Sequence, residues 1–175
     1  EHSDLPALPA KVAIQLNDTH PAIAGPELIR LLHDERGLAF DAAMALAQGC
    51  LNYTNHTLLP EALESWDEDL FGQLLPRHLQ IIDRVDAAHA KAHPKRKSTA
   101  RGDGQVKMGE LSFILANRVN GVSALHTGLM KTTVFEDLHA LHPEKIVNQT
   151  NGVTPRRWLN ACNPSLAALI DDSIG

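Results

Sequence analysis

Short apolar runs that stop abruptly in polar clusters recur along this chain, and they set its predicted elements. Residues 11–16 form an apolar run between turn formers, the pattern of a strand covered on both faces. The run ends in Asn17-Asp18-Thr19-His20-Pro21, which places polar groups at the carboxyl end of a strand, where open α/β sheets hold their ligands. A helix is predicted from Pro26, a residue suited to a first turn, with Leu28, Leu31 and Leu32 on one face. Asp41 is placed to cap a second helix through Ala47, with Met44, Ala47 and Leu51 at core spacing. Residues 51–57 form a second short strand. It runs into Tyr53-Thr54-Asn55-His56-Thr57-Leu58-Leu59-Pro60-Glu61-Ala62, a polar run entered and left through apolar residues. Polar groups so enclosed need partners, because an unsatisfied buried one costs about 1–3 kcal/mol. They are expected at the mouth of a pocket.

From Pro76 the pattern is helical again, with Leu79, Ile82, Val85 and Ala88 inward. His89 and His93 have metal-ligand spacing on that helix, but no third ligand is evident, and a solvent-facing position is expected. Residues 95–104 are basic and contain glycine, as an exposed loop or hairpin tip does. Residues 108–116 are expected to be a buried strand, 117–121 its polar exit, and 122–131 a helix with Val122, Leu125 and Leu129 inward. Residues 145–148 form a weak strand that leads into Gln149-Thr150-Asn151-Gly152-Val153-Thr154-Pro155-Arg156-Arg157-Trp158-Leu159. There Asn-Gly marks a turn, Thr154 a helix cap and Pro155 a first helical position. Two arginines in a first helical turn oppose the helix dipole and call for an acidic or phosphate-bearing neighbour. Asn163-Pro164 repeats the cap-plus-proline start, and Leu166, Leu169 and Ile170 form the next apolar face. Alternating strands and helices predict an α/β domain with a mainly parallel sheet and flanking helices.

Composition narrows the function. A formal charge of -5 over 175 residues argues against nucleic-acid binding. No apolar run approaches the roughly 20 residues of a membrane span, and the chain reads as cytoplasmic. Cys50 and Cys162 lack CxxC spacing and are expected to be buried thiols. Neither end resembles a natural terminus, so an excised fragment is expected.

Taken in order, Asn17-Asp18-Thr19-His20-Pro21, residues 53–62, Leu75-Pro-Arg-His-Leu-Gln-Ile-Ile82, Val119-Asn120-Gly121-Val122 and Thr150-Asn-Gly-Val-Thr-Pro-Arg-Arg-Trp158 resemble the middle of an α-glucan phosphorylase, acting on glycogen, starch or maltodextrin. The resemblance implies a glycosyltransferase of the GT-B type, with two Rossmann-like domains facing a cleft. Residues 1–150 would be the end of the first domain and 151–175 the first helices of the second. The implied reaction is reversible phosphorolysis of α-1,4-glucan to glucose 1-phosphate. Pyridoxal phosphate is the implied cofactor, its attachment lysine lying outside this chain. The implied parent is an allosteric homodimer, and the isolated chain is expected to be inactive.

By the same resemblance His56 is catalytic. Its side chain contacts the sugar's 6-hydroxyl, as a donor in this reading, and its carbonyl faces the anomeric carbon. Asn151 is a second contact to that hydroxyl, and Asp18 and His20 line the pocket. Thr57 through Ala62 form a mobile loop over it, and Trp158 packs near the cofactor. Each residue also has a plainer reading: the histidines as satisfied core groups, Asp18 as a helix cap, Asn151 as a turn former with positive φ, and Trp158 as core. Where the family more often has Ser-His and a small residue, this chain has Ala116-Asn117-Arg118, so those positions carry no role. A non-catalytic carbohydrate-binding or structural α/β module is the alternative. A metal site on His20 and His56 lacks a completing ligand, and no metal is expected.

Overall fold

The computed structural model describes residues 4–95, 97 and 99–175. A short helix α1 (Leu8–Lys11) leads to strand β1 (Ile14–Asn17), which starts later than its apolar run because Lys11 still closes the helical turn. Helix α2 (Ala24–Arg30) begins ahead of Pro26 and continues into a π-helical turn at Leu31–Glu35. The turn shifts the helix phase, so Ile29 and Leu32 are buried while Leu31 faces solvent. Helix α3 (Phe40–Cys50) has Ala39 rather than Asp41 at its cap position; Asp41 lies in the first turn, where a carboxylate meets the positive end of the dipole. Its buried stripe is Phe40, Ala43, Ala47 and Cys50, with Met44 only partly covered.

After β2 (Leu51–Asn55) the chain builds a subassembly of β3 (Ser65–Asp67), α4 (Glu68–Leu74), α5 (Pro76–Ala92), β4 (Arg101–Gly102) and β5 (Gln105–Lys107). Strands β3, β5 and β4 pair antiparallel in that order. The β4–β5 turn is Asp103-Gly104, with φ of 57° and 71°, the two positive values a tight two-residue hairpin needs. The expected hairpin tip is therefore present, although Arg96 and Ser98 lie outside the described residues. Arg101 is no free basic group, since its guanidinium engages Asp83 and Glu68. On α5 the inward residues are Ile81, Ile82, Val85 and His89; His89 is buried, contrary to the expected solvent-facing position.

Residues 108–115 form helix α6 (Met108–Leu115), not a strand, and the helix is buried on nearly every side. A short apolar run does not separate a strand from a fully buried helix, because periodicity vanishes when all faces are covered. The supposed polar exit is itself strand β6 (Arg118–Gly121), with Val119 and Gly121 facing the core. Helix α7 (Ala124–Thr132) starts at Ser123, whose hydroxyl accepts from His126 N at 3.1 Å. That start turns Thr127 and Met130 inward and leaves Leu125 exposed, against expectation. Helix α8 (Glu136–Leu141) and strand β7 (Ile146–Asn148) complete the unit.

The main sheet is parallel throughout, in the order β1-β2-β6-β7. A strand order that advances one way, with right-handed crossovers, sends the connecting helices to a single face. Leu16, Tyr53, Val119 and Ile146 lie in register across that face and are buried. Phe135 packs edge-on to Tyr53 and beside Phe113. The other face is polar: Gln15 donates to Thr54 Oγ1 at 2.8 Å, and Thr54 donates to Asn120 Oδ1 at 2.8 Å.

Beyond β7 the chain is largely exposed. A π-helical turn at Arg156–Ala161 starts from Pro155, and Thr154 contributes its carbonyl to Trp158 N at 2.9 Å rather than a side-chain cap. Asn163 does cap helix α9 (Pro164–Ile174) as expected, through Leu166 N at 3.2 Å. Leu166 and Leu169 are exposed, and so is Cys162, which corrects the expected buried thiol; Cys50 is buried as expected. Among the described residues no helix is long and apolar enough to cross a membrane.

Candidate functional site

Parallel pairing brings the ends of all four strands, Asn17, Asn55, Gly121 and Asn148, to one edge of the main sheet. Asp18 leaves β1 with φ of 63°, a left-handed conformation that Asp and Asn tolerate better than other side-chain-bearing residues. Its amide donates to Thr54 O at 2.9 Å, and its Oδ1 accepts from Thr19 N at 2.7 Å. Asp18 thus closes a turn and does not cap α2, whose cap position is Ile23. Thr19 is buried and donates to Glu64 Oε2 at 2.7 Å, while His20 Nδ1 lies 3.4 Å from the same oxygen with most of its ring exposed. Thr19, His20 and Glu64 border a cavity of about 270 Å³ whose other walls include Trp66, Phe71 and Met108.

His56 follows β2 directly, and its Nε2 lies 2.8 Å from Asn17 Oδ1. An amide oxygen only accepts, so Nε2 donates here and Nδ1 is the ring atom left for another partner. The backbone before it is held firmly. Asn55 is buried and donates to the Tyr53 hydroxyl at 3.0 Å, while His126 Nε2 donates to Asn55 O at 3.0 Å and Oδ1 at 2.9 Å. Burial pushes the Tyr53 phenol well above its ordinary pKa, so it stays a neutral partner.

Thr57 Oγ1 accepts from Leu59 N at 3.2 Å, and Ala62 closes an exposed 3₁₀ turn at Pro60–Ala62. Across the edge, Gln149 N donates to Gly121 O and Asn151 N to Val122 O, each at 3.1 Å. These bonds tie the exit of β7 to that of β6 and leave the Asn151 side chain exposed. Asn151 does not have the positive φ of the turn-former reading. Asp18, His56 and Asn151 thus belong to one sheet edge, with His20 turned toward Glu64 and Thr57 through Ala62 following His56 in a largely exposed segment.

Trp158 is not drawn into this edge. It is 60% exposed, with the Arg157 guanidinium 5.3 Å from its ring centroid. Lys145 does not fit covalent attachment of pyridoxal phosphate. Lys145 is the lysine whose pKa burial lowers, to about 8, yet its Nζ donates to the carbonyls of Phe113 and Ile114. It also precedes β7, which puts it at the amino edge of the sheet, away from His56.

Asn17, Glu64 and His126 were not singled out from sequence. Asn17 and Glu64 stand beside residues that were, so adjacency was their available signal. His126 had none, since its contact with Asn55 spans 71 positions.

The chain is a parallel α/β unit whose polar strand ends gather at the carboxyl edge of the sheet, the edge at which open α/β sheets hold their ligands. A model of the carbohydrate phosphorylase family matches residues 1–175, and the chain belongs to that family. It is 46% identical to human liver glycogen phosphorylase over 181 aligned positions, which cover 97% of this chain and 21% of that protein. It is also 43% identical to the glycogen phosphorylase of Chlamydia pneumoniae, covering 99% and 23% respectively, and 46% identical to the rat brain form, covering 95% and 21%. The chain thus spans about a fifth of the length of the relatives it matches.

Proposed function

We propose that this chain supplies one wall of the active site of a glycogen-phosphorylase-type glycosyltransferase, which transfers the terminal glucose of an α-1,4-glucan to inorganic phosphate. In that reaction the anomeric carbon's bond to the leaving 4-oxygen breaks and a bond to a phosphate oxygen forms. A proton is delivered to the leaving oxygen, and glucose 1-phosphate results. Residues 1–150 serve as the closing part of the first domain, and residues 151–175 open the second. Pyridoxal phosphate, the remaining phosphate ligands and the dimer contacts belong to other parts of the protein, so the chain alone is inactive.

The observation that carries this reading is the fixed backbone at Asn55-His56, held by His126 and Tyr53 at the ligand-holding edge. A carbonyl fixed there stabilises positive charge on a sugar carbon without attacking it, and a dipole already oriented costs nothing to reorganise during the reaction. The His56 side chain hydrogen-bonds the sugar's 6-hydroxyl, Asn151 contacts the same hydroxyl, and Asp18 and His20 line the pocket. Thr57 through Ala62 act as its lip, and Trp158 packs near the cofactor. In the enzyme that contains this chain, His56→Ala removes the ring but keeps the carbonyl. Steady-state phosphorolysis should fall about tenfold in kcat/KM, the worth of one hydrogen bond. Unchanged kinetics would remove His56 from the site.

A further inference from the structure

Away from the sheet's carboxyl edge, histidines from two helix ends converge. His89 and His93 are one turn apart at the end of α5, and His142 ends α8 just before the chain enters β7. A ring nitrogen from each lies within 4.8 Å of the others, and His89 Nε2 is 3.2 Å from His142 Nε2. The ring centroids are 4.9, 5.5 and 4.6 Å apart for the pairs 89–93, 89–142 and 93–142. Zinc–imidazole bonds of about 2.0–2.1 Å at tetrahedral angles separate ligand nitrogens by roughly 3.4 Å. The 89–142 pair is already near that spacing, at 3.2 Å, and the third nitrogen, from His93, lies within 4.8 Å of both.

We propose that His89, His93 and His142 form a binding site for a divalent transition-metal ion, with zinc the best fit and a water in the fourth position. Three neutral nitrogens with no carboxylate or thiolate favour a borderline ion over calcium or magnesium, which take oxygen ligands. Near His142 the Lys145 ammonium opposes a cation and the Glu144 carboxylate favours one, and Lys145 is turned to the Phe113 and Ile114 carbonyls. Because His142 leads into the amino end of β7, the site lies opposite the edge that holds His56. Its effect is structural: the ion cross-links α5, within the β2–β6 crossover, to α8, within the β6–β7 crossover.

The test uses the purified protein stripped of metal and reloaded with one zinc per chain. X-ray absorption should show three imidazole nitrogens at about 2.0 Å, and cobalt substitution should give the intense visible bands of a tetrahedral site. Zinc should raise the melting temperature of the wild type, as any ligand of the folded state does. His93→Gln and His142→Gln should each weaken zinc binding by more than the roughly 10–100-fold that loss of an outer partner costs. A zinc shell with sulfur from the exposed Cys162, or with fewer than three imidazoles, would overturn the proposal without depending on any variant. So would a His142→Gln protein that binds zinc like the wild type.

Discussion

At Gly121 the main chain of β6 passes so close to α7 that a methyl group has no room. A Cβ built there would lie 2.3 Å from Thr127 Oγ1 and 2.8 Å from Thr127 Cα. The second contact is with backbone, so side-chain rotation does not relieve it. Gly121→Ala should lower stability by about 1–3 kcal/mol, the usual cost of overpacking, read as a lower urea midpoint with unchanged slope. The same residue shows what the sequence withheld. Asn120-Gly121 reads locally as turn chemistry, yet here glycine serves close packing of a strand against a helix, a tertiary demand that no local pattern encodes. Asp18, His56 and Asn151 stand out in sequence because they lie in motifs that carry the family resemblance and follow strand ends. His126 acts on the site through Asn55, which is 71 positions away, and only the fold reveals that link.

Between elements, Glu27 joins α2 to α5. Its carboxylate accepts from Arg30 Nε at 2.7 Å and from His78 Nε2 at 2.8 Å. The Arg30 bond, with His78 adding to it against an opposing effect of burial, holds the Glu27 pKa at about 2, below its usual 4.5. A carboxyl whose folded pKa is depressed adds stability above its unfolded value and loses it as acid protonates the folded form. The melting temperature should therefore drop as pH falls from 4.5 toward 2, and Glu27→Gln should flatten that part of the profile. Glu27 is 37% exposed, so solvent screening keeps the difference modest. Elements with one solvent face, such as α5, were the ones whose periodicity could be read. Helix α6 reads as a strand in sequence because burial on nearly every side erases its period. The phases of α2 and α7 were missed because a π-helical turn and the Ser123 cap reset them.

At the scale of the molecule, the parallel α/β architecture was readable from the alternation of apolar runs and helical stretches. The antiparallel trio of β3, β5 and β4 was not, since strands of two or three residues leave almost no periodic signal. That trio lies within the longest crossover of the main sheet, where the paired Thr54 and Asn120 are 66 positions apart. Closing so long a loop costs entropy before any parallel bond forms, and a hairpin that folds on its own first shortens the effective loop. The Asp103-Gly104 turn thereby becomes a control on folding speed. Gly104→Val meets no steric obstacle but must hold a φ of 71° that a β-branched residue resists. Stopped-flow refolding of this variant should be slower while unfolding stays near the wild-type rate, the signature of a contact already made in the transition state. Two residues at the tip of a small hairpin would then set the pace at which the strands carrying Thr54 and Asn120 find each other.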